Sequence, residues 1–130
     1  MPAVNGALSA DALGRLYGAL ANGGAEPGGP RLLQEATVHE LGRVHVRTGD
    51  AVLGLRMRWR LGYHQAFGTG RAAPKAFGHY GYGGSGGWAD PDLGLSLGFV
   101  TNRIGSITTP MADATLYRLS RVVRECALSR

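Results

Sequence analysis

The chain has 130 residues, 44% of them hydrophobic, and a formal net charge of +5, which allows one domain and excludes a disordered chain. Glycine supplies 22 residues against a usual share of roughly 7%, but it follows no G-x-y period, so collagen is excluded. No apolar run approaches the roughly 20 residues of a membrane span, and Cys126, the single cysteine, excludes a disulfide framework and any multi-cysteine metal site.

The start, MPAVNGALSADAL, has neither a charged n-region nor an apolar h-region, so no signal peptide is visible and the cytoplasm is the default compartment. Lys+Arg totals 14 and Lys75 is the only lysine, leaving 13 arginines. Arginine over lysine, with plentiful Gly and Ala, matches the codon usage of a GC-rich bacterium. The arginines are dispersed, with no block of five or six like charges. A solvated basic face is therefore expected, not a nucleic-acid groove.

Ser9 to Asn22 is predicted as a helix. Ser9 is a good N-cap, Asp11 sits in the first turn and Gly23-Gly24 ends the run. Leu13, Leu16, Tyr17 and Leu20 form one apolar stripe. Gly23 to Pro30 is a turn-rich loop, and Leu32 to Leu41 a short helix. Thr48-Gly49-Asp50 is a break.

Val52 to Tyr63 has the clearest strand pattern. Leu53, Leu55, Met57, Trp59, Leu61 and Tyr63 alternate with Gly54, Arg56, Arg58, Arg60 and Gly62. Period two with one polar face predicts a strand of an antiparallel sheet, its arginines in water. Gln65 to Lys75 is a loop. Trp59 and Trp88 are expected in the core or on the sheet.

The segment from Phe77 to Asn102 reads FGHYGYGGSGGWADPDLGLSLGFVTN. Asp90-Pro91-Asp92-Leu93-Gly94 is a hairpin turn signal. Leu95, Leu97 and Phe99 alternate with Ser96, Gly98 and Val100, giving the returning strand. Thr109 and Pro110 then open a last helix running to about Leu128. Its apolar stripe is Leu116, Leu119, Val122, Val123 and Cys126, with Cys126 buried and Arg118, Arg121, Arg124 and Glu125 facing away. The predicted class is α+β, an antiparallel sheet flanked by helices.

Six glycines crowd residues 78–87. Glycine weakens a strand by about 0.5–1 kcal/mol, a cost that persists where another backbone or a ligand comes close. No G-x-x-x-x-G-K-[ST] occurs and no βαβ unit surrounds the segment, so P-loop and Rossmann readings fail. Gly83-Gly84-Ser85-Gly86-Gly87 satisfies G-x-S-x-G. A nucleophile elbow, however, needs a strand-to-helix turn and a later His, and His39, His45, His64 and His79 all precede Ser85.

This segment resembles the C-terminal signature of serine β-lactamase-like hydrolases: class C β-lactamases, penicillin-binding proteins and related esterases. In that family a strand carries K-T-G, or H-x-G in many esterases, followed by glycines, a D-P-x-x-G turn and a strand ending in Thr-Asn. His79-Tyr80-Gly81 stands at the first place, Asp90 to Gly94 at the turn and Val100-Thr101-Asn102 at the strand end. NGALSADALGRLYGALANGGAEPGGPRLL also resembles a family helix and the segment after it, so the likeness spans about Asn5 to Leu128.

The resemblance implies the C-terminal part of a β-lactamase/transpeptidase-like fold, a single partial domain over residues 1–130. It implies an ester or β-lactam as substrate, no cofactor and no metal. It makes His79, Tyr80, Gly81 and Tyr82 substrate-binding: Tyr82 N–H one oxyanion donor, His79 a donor near the substrate carboxylate or ester, and Gly81, Gly83 and Gly84 room for close approach. No catalytic residue is assigned. The family acts through S-x-x-K and a Y-x-N or S-x-N element, and no serine here has Lys three residues on, nor any tyrosine Asn two residues on. The chain alone is expected to be inactive. A half-sheet would also leave an unpaired edge, open to a second copy or to a separate N-terminal half, and so to a non-catalytic interaction module.

Overall fold

The computed structural model describes residues 6–69, 73–103 and 114–129. Helix α1 spans Ala10–Ala21 and α2 Glu35–Gly42. Strands β1 (His64–Gln65), β2 (Phe77–Tyr80), β3 (Gly86–Asp90) and β4 (Leu95–Phe99) follow, then helix α3 (Thr115–Leu128). The strands form one antiparallel sheet in the order β1-β2-β3-β4. The α+β class holds.

Ser9 caps α1, its Oγ accepting from the Ala12 N–H at 3.1 Å. Gly23 and Gly24, both at positive φ, end the helix as predicted. The buried side of α1 is Tyr17, Ala19, Leu20 and Ala21, while Leu16 of the expected stripe is exposed. Tyr17, Leu20 and Ala21 meet Val38 of α2 and Phe77 and Ala89 of the sheet, forming the core on one sheet face. Period two sends Trp88 to the other face, where it packs with Ala66, Ala73, Ala76, Tyr80 and Val123. Strand glycines let α1 lie close to the sheet. A Cβ on Gly98 would stand 2.7 Å from the Ala10 carbonyl oxygen, and one on Gly87 2.6 Å from the Tyr17 ring.

The Asp90 turn forms as read. The Asp90 carboxylate accepts from the Asp92 N–H at 3.2 Å, and Gly94 takes φ +59°.

Three expectations are corrected. Val52 to Tyr63 is not a strand; Val46 and Trp59 form one isolated bridge, and Gly54, Arg58 and Gly62 take positive φ. Asp50 competes for this segment: its carboxylate accepts from the Val52 and Leu53 N–H groups and from the Trp59 indole at 2.8 Å. That closes a local turn instead of a ladder. Leu53, Leu55 and Leu61 are consequently exposed and Trp59 only part-buried. Arg60 is buried, not in water.

The second helix begins at Glu35 rather than Leu32. Before it, Leu32 and Leu33 donate their N–H groups to the Gly24 carbonyl.

Finally, α3 buries Leu116, Ser120 and Arg124, leaving Leu119, Val122 and Cys126 exposed. Ser120 Oγ accepts the Trp88 indole N–H at 2.7 Å, and Arg124 Nε donates to the fully buried Asp90 carboxylate at 3.0 Å. These polar bonds rotate the helix away from its apolar stripe. Thr109 and Pro110, read as the start of this helix, lie outside the described residues.

Candidate functional site

His79 and Tyr80 end β2, and Gly81 and Tyr82 open the turn into β3. The Gly81 N–H donates to the Ser85 carbonyl at 2.8 Å, and the Gly84 N–H returns to the Gly81 carbonyl at 3.0 Å. Gly84, at φ +91°, completes a tip that only glycine enters without strain. The four expected residues therefore sit together at one end of the sheet. Tyr82 stands 57% exposed at that tip, and His79 is exposed beside it.

Tyr80 points inward. Its hydroxyl lies 2.5 Å from the Phe67 carbonyl and 2.7 Å from Ser120 Oγ, so its polar atom is committed to holding β2 on α3. Burial pushes its phenol well above the ordinary range. Ser85 is also committed. Its Oγ accepts the Thr101 N–H at 3.0 Å, and the chain continues from it into a strand, not a helix. The structural context of a nucleophile elbow is absent at this serine.

His64, on β1, is the residue that sequence reasoning missed. It is 1% exposed, and its ring lies 5.4 Å from that of His79. Its Nδ1 faces the Gln65 carbonyl at 2.8 Å and its Nε2 the Tyr80 N–H at 3.1 Å. A carbonyl only accepts and an N–H only donates, so the ring is neutral with its proton on Nδ1. Desolvation pushes its pKa below the ordinary histidine value, and His79 and Arg60 add to this.

Arg60 reaches the Gly42 carbonyl at 2.6 Å, the Pro74 carbonyl at 2.8 Å and Gln65 Oε1 at 3.2 Å. It thus ties α2 to both ends of the loop between β1 and β2. Burial pushes it down to about 10.

Two concavities, one between α3 and Gly68-Thr69 and one between α1 and β4, include none of residues 79–82. Among the described residues, no group of three His, Cys, Asp or Glu could hold a metal ion. Among the same residues, no helix is long and apolar enough to cross a membrane.

Residues 1–121 match the sequence profile of the family described as Beta-lactamase. The chain belongs to the Beta-lactamase family. It is 38% identical over 128 residues to Esterase/beta-lactamase LipL of Mycobacterium tuberculosis, covering 98% of this chain and 29% of that protein. Among solved structures it is similar to a family VIII carboxylesterase, with TM-score 0.76 and 34% identity over 88% of this chain and 31% of the other. It is equally similar to a penicillin-binding protein homolog from Caulobacter crescentus, with TM-score 0.77 and 34% identity over 92% and 32%. The chain thus spans about a third or less of the length of these relatives. The α+β arrangement of an antiparallel sheet and helices is that of the β-lactamase/transpeptidase-like fold.

Proposed function

We propose that the chain is the substrate-strand part of a β-lactamase-related serine hydrolase of the esterase type, inactive without a nucleophile supplied from outside these 130 residues. In the parent reaction a serine oxygen bonds to the ester or lactam carbonyl carbon. The C–O or C–N bond then breaks, the leaving group takes the proton, and water hydrolyses the acyl-serine. This chain contributes the strand edge and one oxyanion donor, the Tyr82 N–H, a contribution worth about 2.7–4 kcal/mol in enzymes that use one. His79 donates to the substrate carboxylate or ester oxygen, and Gly81, Gly83 and Gly84 let the substrate approach the backbone. Histidine in place of lysine in the H-x-G motif favours an ester over a β-lactam.

The observation that carries this reading is the joint placement of His79 to Tyr82 at the end of β2, while Ser85 is bonded into Thr101. The purified chain should give no acyl burst with a chromogenic short-chain ester or a chromogenic cephalosporin. A burst stoichiometric with protein and abolished by Ser85→Ala would overturn it.

A second reading, a module that pairs through its sheet, is favoured by the position of β4 at the end of the strand order. It predicts a dimer by sedimentation at micromolar concentration; a clean monomer contradicts self-pairing.

A further inference from the structure

Antiparallel pairing of β1 with β2 sets His64 opposite Gly78 and Gln65 opposite Phe77. Continuing the register brings Gly62 opposite Tyr80. That rung does not form. Gly62 takes φ +78° and the Arg60 N–H donates to the Tyr63 carbonyl at 2.8 Å, which turns the chain away from the sheet. The Tyr80 N–H still faces this side, because β2 alternates: the Gly81 N–H, one residue on, points to β3 and meets Ser85. A buried N–H left without an acceptor costs about 1–3 kcal/mol. The His64 imidazole fills the gap, its Nε2 standing where the Gly62 carbonyl would stand.

We infer that His64 is a positioning residue for the β2 edge: its imidazole replaces the missing backbone rung, ends the pairing with β1 at Tyr80, and so fixes where the edge passes to a ligand at Tyr82. This rests on reading His79 to Tyr82 as the substrate strand. The side chain is held for the task. Its ring stacks on Phe67 at 4.6 Å and meets Trp59 edge-on at 5.7 Å, and the Gln65 carbonyl on Nδ1 leaves Nε2 as the acceptor. The ionisable groups around it are His79 of β2, Arg60 of the preceding turn and Tyr80. None is a carboxylate that would favour the imidazolium.

The test uses the 130-residue chain itself and nuclear magnetic resonance. Nitrogen shifts of His64 should report the Nδ1–H tautomer, and the Tyr80 amide should be coupled to Nε2 across the hydrogen bond. An Nε2–H tautomer would overturn the inference without any substitution. His64→Phe should speed exchange of the Tyr80 amide about tenfold, more than it speeds Trp88 and Ala89 on β3, and shift the Gly81 to Gly84 signals. His64→Gln, which keeps an acceptor, should restore most of that protection. Equal acceleration at Tyr80, Trp88 and Ala89, or no rescue by Gln, would make His64 a packing residue only. These readouts need no catalysis, so a failure of the hydrolase reading shows in the acyl-burst assay and a failure of this inference shows here.

Discussion

A hydrogen bond accepted by an imidazole nitrogen, unlike one accepted by a backbone carbonyl, is lost when acid protonates the ring. His64 is buried and accepts the Tyr80 N–H, so the native state refuses a proton that the unfolded chain accepts. The folded pKa is lowered, hence stability is full above the unfolded histidine value of about 6.5 and falls as pH drops below it. His79, exposed beside the tip, is lowered by partial desolvation as well and acts with the same sign, but water around it keeps its share small. The urea midpoint of the wild-type chain should therefore fall between about pH 7.5 and about pH 5, and His64→Gln should lessen that fall. An unchanged slope in His64→Gln would assign the acid sensitivity to other groups. His64 was not legible in the sequence because its task depends on Gly62 turning away, and a residue pattern does not report a rung that fails to form. The place of His79 to Tyr82 at the end of β2 and in the turn after it was legible, because a local motif fixes their spacing and a hairpin needs nothing distant to form.

The elements were read best at caps and turns. The Ser9 cap, the double glycine after α1 and the Asp90 turn all formed as expected, because each bond closes within a few residues. The Val52 to Tyr63 alternation failed because the Asp50 carboxylate gathers Val52, Leu53 and Trp59 around itself. The face of α3 failed for the opposite reason: Asp90, 34 residues earlier, anchors Arg124 from the sheet. Removing one partner of a buried ion pair strands the other charge, so Arg124→Ala should cost about 3–5 kcal/mol. Leu119→Ala, on the exposed side of α3, should stay within about 0.5 kcal/mol. Chemical denaturation of the two variants checks the pair, and a larger loss from Leu119→Ala would restore the apolar stripe as the packing face.

At the scale of the whole molecule, glycines of the sheet and of its tip serve two uses beside the caps and turns. Gly87 and Gly98 let α1 approach the sheet, while Gly81 and Gly84 shape the tip beside Tyr82. The chain therefore holds a packed sheet with a formed strand end, yet spans 29% of its Mycobacterium tuberculosis relative. On the proposed reading, the strand end from His79 to Tyr82 meets the substrate and no serine of the chain is activated. Intact-mass spectrometry after incubation with a serine-reactive fluorophosphonate tests this most directly. The account predicts unmodified protein; a single stoichiometric adduct mapped to Ser85 would contradict it.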